Sequence, residues 1–185
     1  MTENLNYEID SSSCYNNSAD YCDKYGRLYK WAEMMLQPSE CNAKFCGGLS
    51  TMRGICPDGW RVPSISDFNR LIDAVGGKSV AGKVLRSVSG WNDGGGSDSY
   101  YFSALPAGYR EEVHYYDNKG YKVHYYGDGD VAWFWSYDQC KVVNGDVVQH
   151  EDEAYAVSFA ANDDFAVTTL SKIFRLSVRC VKDLE

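Results

Sequence analysis

The seven cysteines are the residues whose type and spacing most directly suggest chemistry: Cys14, Cys22, Cys41, Cys46, Cys56, Cys140 and Cys180. The first four form two close pairs in polar, turn-rich segments, and short polar loops closed by two cysteines are typical of oxidised, secreted domains. A four-thiolate zinc site is the alternative, but the gaps do not follow the usual two-residue knuckle. An odd count leaves at least one thiol unpaired, and Cys140 is the natural candidate.

Other residues that could do chemistry give weak signals. Of the three histidines, His114 and His124 lie in similar Val-His-Tyr-Tyr runs with no evident third metal ligand, so we interpret them as solvent-facing strand residues. The adjacent carboxylates of Asp163 and Asp164 would point to opposite faces of a strand, which suits a solvated rim better than a catalytic pair. The sequence therefore predicts a protein that is not an enzyme and that needs no cofactor.

The alternative to a protein without a cofactor is a protein that binds calcium. Asp128 and Asp130 lie in a Gly-Asp-Gly-Asp segment, which supplies two hard oxygen ligands on a flexible backbone. This segment lacks the further ligands and the bidentate Glu of a helix–loop–helix calcium site. The Trp-Asn-Asp tripeptide at residues 91–93, which contains Asp93, also occurs at the calcium-dependent sugar site of C-type lectins. Asp128 and Asp130 are therefore candidate calcium ligands.

Aromatic residues give the strongest positive signal. Five tyrosines crowd one segment, and a run with two tryptophans follows it. Because half of the side chains of a strand face outward, several of these rings must be exposed or covered by a loop. Exposed rings beside short polar side chains are typical of binding surfaces, and such rings also stack on sugars. The alternative is that Trp133 and Trp135 are core anchors. The candidate ligand-binding residues are Tyr115, Tyr116, Tyr121, Tyr125, Tyr126, Tyr137, Asp163 and Phe165.

Length and charge limit the class of protein. The chain has 185 residues, which predicts a single domain over residues 1–185. The net charge of −8 argues against a nucleic-acid partner, since phosphate binding requires a clustered basic face. The sequence has no run of about 18 apolar residues, so we expect no membrane-spanning segment. Because residues 1–4 are polar, we expect no signal peptide there. We interpret residues 184–185 as a cloning scar and expect a monomeric domain.

The apolar periodicity predicts helices in the first half of the chain. Leu28, Trp31 and Met35 have helical spacing within residues 25–35. Ser64 and Asp67 have the spacing of a capping box at the start of a second helix, which two glycines at residues 76–77 end. A shorter helix is predicted over residues 79–86.

The second half alternates like strands. Residues 113–117 and 123–127 are nearly identical runs joined by a turn, which predicts a β-hairpin. Further strands are predicted over residues 100–107, 131–136, 154–160, 165–169 and 177–181. Helices followed by an antiparallel sheet indicate an α+β fold.

Several ordered motifs resemble one family. They include Tyr-Gly-Arg-Leu-Tyr-Lys-Trp at residues 25–31, Cys-Pro-Asp-Gly-Trp-Arg-Val-Pro-Ser at 56–64, Phe-Ser-Ala-Leu-Pro-Ala-Gly-Tyr-Arg at 102–110 and Ser-Val-Arg-Cys-Val-Lys-Asp at 177–183. Over residues 3–183 the chain resembles the Fibrobacter succinogenes major paralogous domain. The resemblance implies a C-type-lectin-like fold of the formylglycine-generating-enzyme type, with two N-terminal helices packed on a twisted antiparallel sheet. It also implies exported surface proteins and lipoproteins of gut and rumen bacteria.

The resemblance further implies three disulfides, Cys14–Cys22, Cys41–Cys46 and Cys56–Cys180. The enzymatic relatives use a dedicated cysteine pair near the last strands, where this chain has only Cys180, so their oxidase chemistry is not carried over. Ligand-binding loops are implied at residues 137–150 and 161–172, beside the tyrosine hairpin. We therefore expect an extracellular or cell-surface adhesion domain that binds a carbohydrate. The alternatives are a protein-binding or display domain and, third, a formylglycine-generating-type oxidase.

Overall fold

The computed structural model describes residues 1–47, 52–114, 120–144, 147–161 and 165–182. Its α-helices are α1 (Ala19–Tyr25), α2 (Trp31–Met34), α3 (Ile65–Ala74) and α4 (Lys78–Leu85), with 3-10 turns at Tyr15–Asn17 and Ser39–Asn42. Its strands are β1 (Trp60–Arg61), β2 (Ala107–His114), β3 (Tyr121–Asp128), β4 (Val131–Gln139), β5 (Val142–Asn144), β6 (Val147–Gln149), β7 (Glu153–Ala160), β8 (Phe165–Ser171) and β9 (Val181–Lys182).

The continuous helix predicted over residues 25–35 is wrong. Helix α1 ends at Tyr25, and Gly26 takes a positive φ of 77° that a side chain would disfavour. The next residues are extended because they pair with distant segments. Leu28 bridges Ser13, and Tyr29 bridges Leu176. Only the single turn α2 remains of the predicted helix.

Helix α3 begins as the sequence predicts. Ser64 caps the helix, and its hydroxyl accepts from the Asp67 N–H at 3.0 Å, while Asp67 Oδ2 accepts from the Ser64 N–H at 2.8 Å. Arg61 adds a bidentate pair, with its two terminal nitrogens 2.6 and 3.0 Å from the Asp67 carboxylate. The Arg61 guanidinium and the two Ser64 hydrogen bonds hold the pKa of Asp67 well below its usual range.

We expect Asp67 to make the protein sensitive to acid. Because the folded-state pKa is depressed, its contribution is present above the unfolded pKa of about 4 and is lost as the pH falls below it. Asp67→Asn should lower the free energy of unfolding at pH 7 by about 1–2 kcal/mol and should flatten its fall between pH 4 and pH 2. Urea unfolding measures both, with Asp73→Asn on the exposed part of α3 as the control; an equal effect of the two variants would contradict this role.

The main sheet orders its five described strands as β3-β2-β4-β7-β8. The predicted hairpin is confirmed in its described part, since β2 and β3 pair antiparallel from Ala107–Asp128 to His114–Tyr121. Residues 115–117 of its first predicted strand lie outside the described residues. The pairs β2–β3, β4–β7 and β7–β8 are antiparallel as predicted, whereas the contact between β2 and β4, at Gly108 and Ala132, is parallel.

Two predicted strands also differ from the structure. Residues 100–106 form a loop whose backbone bridges another segment at Ala104–Arg86, and the strand starts only at Ala107. In the predicted strand at residues 177–181, Ser177 only bridges Phe134, and the strand β9 starts at Val181, where it pairs with β1.

Both faces of the sheet are covered at its strands β4 and β7. Trp135 and its partner Ala156 face a core cluster that contains Trp31. Phe134 and its partner Val157 face a second cluster, which the apolar sides of α3 and α4 complete. Burial of aromatic and aliphatic area on both faces is the main source of stability.

All seven cysteines lie within the described residues. The three predicted disulfides, Cys14–Cys22, Cys41–Cys46 and Cys56–Cys180, are confirmed, and Cys140 is free and buried. Such a framework is typical of an oxidising, extracellular environment. In the part of the chain that the structure describes, no helix is long and apolar enough to cross a membrane.

Candidate functional site: an aromatic row on the β-hairpin

The register of the hairpin places a set of side chains on one face. Tyr109 lies opposite Tyr126, and Glu111 lies opposite His124. Directly opposite residues of an antiparallel pair point to the same side and are close enough to interact. The Tyr109 and Tyr126 rings have centroids 5.3 Å apart, and the His124 and Tyr126 rings stack at 5.8 Å with an interplanar angle of 16°.

The same face continues from the hairpin toward the core. Tyr109 stacks on Phe174 with centroids 5.9 Å apart, and it meets the Trp133 ring edge-on at 6.5 Å. Trp133 and Phe174 pack against the core cluster around Trp135. We call the set of five rings the aromatic row: His124, Tyr126, Tyr109, Trp133 and Phe174. The row is anchored in the core at one end and reaches solvent at the other, where Tyr126 is 40% exposed.

Polar groups lie among the rings. Burial raises the pKa of the Tyr109 hydroxyl, and the nearby Glu111 carboxylate raises it further. The Tyr109 phenol therefore stays protonated at neutral pH and can donate or accept a hydrogen bond. Glu111 adds an acceptor, and the ring nitrogens of His124 add a donor and an acceptor. Rigid ring surface flanked by such groups can bind a flat ligand with an apolar face and a polar edge.

Tyr125, by contrast, belongs to the opposite face of the hairpin. Its ring packs against Tyr15 with centroids 5.1 Å apart, and its hydroxyl donates to Asn17 Oδ1 at 2.7 Å. These contacts fasten the N-terminal disulfide loop to the sheet. Although the sequence makes Tyr125 a candidate ligand-binding residue, the structure places it in a structural contact.

The candidate calcium ligands have protein partners. The two carboxylate oxygens of Asp128 accept hydrogen bonds from the hydroxyls of Tyr25 at 2.7 Å and Tyr21 at 3.0 Å. Asp128 thereby raises the pKa of the Tyr21 phenol. Asp130 accepts from Asn92 Nδ2 at 3.0 Å, and Asp93 accepts from Arg86 Nη2 at 2.7 Å. Among the described residues, no three His, Cys, Asp or Glu side chains are grouped so that they could hold a metal ion.

The structure does not bring the remaining candidates to the aromatic row. Phe165 lies on β8, at the opposite edge of the sheet from β3, and its ring packs on Phe159 at 5.2 Å. Tyr137 packs against the core cluster around Trp135. Tyr121 starts β3 and is exposed. Tyr115, Tyr116 and Asp163 lie outside the described residues.

Tyr109 and Phe174 belong to the row although the sequence does not mark them as candidates. Tyr109 could have been found by extending the pairing from the hairpin turn, which places it opposite Tyr126. Phe174 carries no such signal, because a turn after β8 brings it to Tyr109 from a distant part of the chain. His124, for which the sequence predicts a solvent-facing position, is half-buried within the row.

Comparison with known proteins identifies a family. The model described as the Fibrobacter succinogenes major domain matches residues 1–182. No curated protein and no solved structure matches the chain.

Proposed function

The chain belongs to the Fibrobacter succinogenes major domain family, and we propose that it is a non-catalytic extracellular binding domain that takes up a carbohydrate on the aromatic row. One observation carries the proposal. The Tyr126, Tyr109 and Phe174 rings form a continuous series of ring contacts that leads from solvent to the core cluster around Trp135. A surface of this kind offers apolar area at little cost in side-chain entropy.

A sugar ring matches this surface in its chemistry. Its C–H face is apolar and can lie on an aromatic ring, while its hydroxyls point outward from the ring edge. The Tyr109 hydroxyl, the Glu111 carboxylate and the His124 imidazole could take up those hydroxyls. Because the Tyr109 ring packs against Trp133 and Phe174, its side chain would lose little conformational entropy on binding a ligand.

The state of the cysteines supports a function without catalysis. An oxidase of the formylglycine-generating type would require a reactive thiol pair, whereas six cysteines form disulfides and Cys140 is buried. The disulfides also support a place outside the cell or on its surface. We further propose the C-type-lectin-like fold, which the Cys56–Cys180 link between the first and last thirds of the chain supports.

A protein ligand is the second candidate. Strand β3 is an edge strand of the sheet, and Tyr121 and Val113 expose apolar surface beside it. An exposed edge can pair with an extended peptide, which would cover these side chains. This alternative predicts binding that depends on β3 and not on the rings of the aromatic row.

Tyr126→Ala should weaken carbohydrate binding about tenfold without unfolding the protein. The side chain is 40% exposed on an edge strand, so its loss should cost stability only about 1 kcal/mol or less. Isothermal titration with cellohexaose, xylohexaose and mannohexaose measures the affinity, and thermal unfolding checks the fold.

Tyr100→Ala is the control, because Tyr100 is also exposed, at 53%, but lies in the loop before β2 and not in the aromatic row. It should leave the affinity unchanged.

Carbohydrate binding should also persist in a chelator. If a chelator abolishes binding, calcium at Asp128 and Asp130 becomes the better explanation. Equal affinities of wild type and Tyr126→Ala would exclude the aromatic row as the binding surface.

A further inference from the structure

A second cluster, on the other face of β2, combines three cations with one carboxylate. The Glu112 carboxylate accepts from Lys30 Nζ at 3.0 Å, from Arg110 Nη1 at 2.6 Å and from Arg175 Nη1. We call Lys30, Arg110, Arg175 and Glu112 the cationic cluster. Three separate segments build it, since Lys30 precedes α2, Arg110 and Glu112 lie on β2, and Arg175 bridges Arg110 through the backbone.

The charges of the cationic cluster are not balanced. Its side chains are only 9–19% exposed, so water solvates them poorly. Holding partly buried positive charge without an equal number of negative partners costs free energy. The net charge of the chain is −8. The local excess of positive charge is therefore a specific feature of this cluster and not part of a generally basic surface.

Unpartnered donors lie at the same place. The Arg110 side chain is 91% buried. Within the described residues, its Nε has no hydrogen-bond partner and is shielded from water. Arg27 Nε and Ser13 Oγ are also buried and unpartnered. Native proteins leave few buried donors unpartnered, because each costs about 1–3 kcal/mol.

These groups are joined through residues 11–13. Arg175 Nε donates to the Ser11 carbonyl at 2.9 Å, and Arg27 Nη1 donates to Ser12 Oγ at 3.3 Å. Ser13 pairs with Leu28, next to Arg27. The Arg27 Nη2 atom has an ion pair with Glu8, whose side chain is 76% exposed. The cationic cluster and Arg27 therefore both contact the segment of residues 11–13.

We infer that the cationic cluster binds an oxyanion, a carboxylate or sulfate group, from a ligand at the surface. Guanidinium groups match the geometry of carboxylate and sulfate oxygens and bind them in bidentate fashion. The oxyanion would supply the missing negative charge and would compete with Glu112 for the three cations. Adjacent residues of a strand face opposite sides, so this site lies across β2 from Tyr109 and does not depend on the proposed aromatic row.

The test uses sodium sulfate, with sodium chloride at the same ionic strength as the reference. Sulfate in the millimolar range should raise the melting temperature, and titration calorimetry should give saturable binding. Lys30→Gln should weaken sulfate binding about fivefold to tenfold, because it removes the most exposed cation of the cluster. Glu112→Gln should have the opposite effect and tighten binding, because it removes the competing carboxylate.

Two exposed residues provide controls with the same charge changes. Lys78→Gln matches Lys30→Gln, and Asp73→Asn matches Glu112→Gln; neither should alter sulfate binding. Galacturonate and polygalacturonate then distinguish a free anion from an acidic glycan as the ligand. If the ligand is an acidic glycan, polygalacturonate should bind more tightly than sulfate, whereas galacturonate should not. If sulfate stabilises no more than chloride, or if Lys30→Gln and Lys78→Gln have equal effects, the inference is overturned.

Discussion

Removal of the Cys56–Cys180 disulfide is expected to lower the free energy of unfolding by about 4–5 kcal/mol. The two cysteines are 124 residues apart in sequence, so the bond restricts most of the unfolded chain. Their Cα atoms are 5.9 Å apart, and the bond joins the segment before β1 to the segment before β9. The double variant Cys56→Ser/Cys180→Ser avoids new thiol exchange and should show the loss in urea unfolding.

The short disulfide Cys14–Cys22 provides the comparison. Its sequence separation is 8, for which the same chain-entropy model gives only about 2–3 kcal/mol. Cys14→Ser/Cys22→Ser should therefore cost clearly less stability. If the two double variants lost equal stability, restriction of the unfolded chain would not be the main contribution of Cys56–Cys180.

Arg179→Met is expected to cost about 3–5 kcal/mol of stability. The Arg179 side chain is fully buried, and its guanidinium donates to Asn4 Oδ1, to the Phe102 carbonyl and to the Ser103 carbonyl at 3.1 Å. It also lies over the Phe102 ring at 4.7 Å. Methionine fills much of the volume but leaves these oxygens without donors, and unsatisfied buried acceptors carry most of the expected loss.

The guanidinium of Arg179 is charged at neutral pH, so the hydrogen bonds that the substitution removes are those of a cation. Burial lowers the pKa of the guanidinium to about 10, so it stays protonated at pH 7. Arg70→Met is the control, since Arg70 is 73% exposed on α3. It should change the free energy of unfolding by about 0.5 kcal/mol or less. A similarly small effect of Arg179→Met would mean that water replaces the guanidinium at no great cost.

The elements that the sequence predicts correctly depend on local interactions. The Ser64–Asp67 capping box, the β2–β3 hairpin and the two short disulfides join residues that are near one another in sequence. Such interactions leave recognisable spacings. The long disulfide was predicted only because the motifs around Cys56 and Cys180 resemble a known family.

The errors arise where distant segments determine the backbone. Leu28, Trp31 and Met35 have helical spacing, yet Leu28 is extended because it pairs with Ser13. Spacing along the chain cannot reveal a pairing of this kind. The strand order explains the candidate site in the same way. Neighbouring loops in the family fold suggested that Phe165 joins the tyrosine hairpin, whereas β8 and β3 are opposite edges of the sheet.

The most direct test of the proposed function is to map carbohydrate binding by NMR on the oxidised protein. During titration with the tightest-binding hexasaccharide, we expect the Trp133 indole signal and the amides of β2 and β3 to shift together, with one saturation curve. The amides of β8 around Phe165 should stay in place. Shifts confined to β8, to the Asp128 and Asp130 loop or to no site at all would contradict carbohydrate binding on the aromatic row.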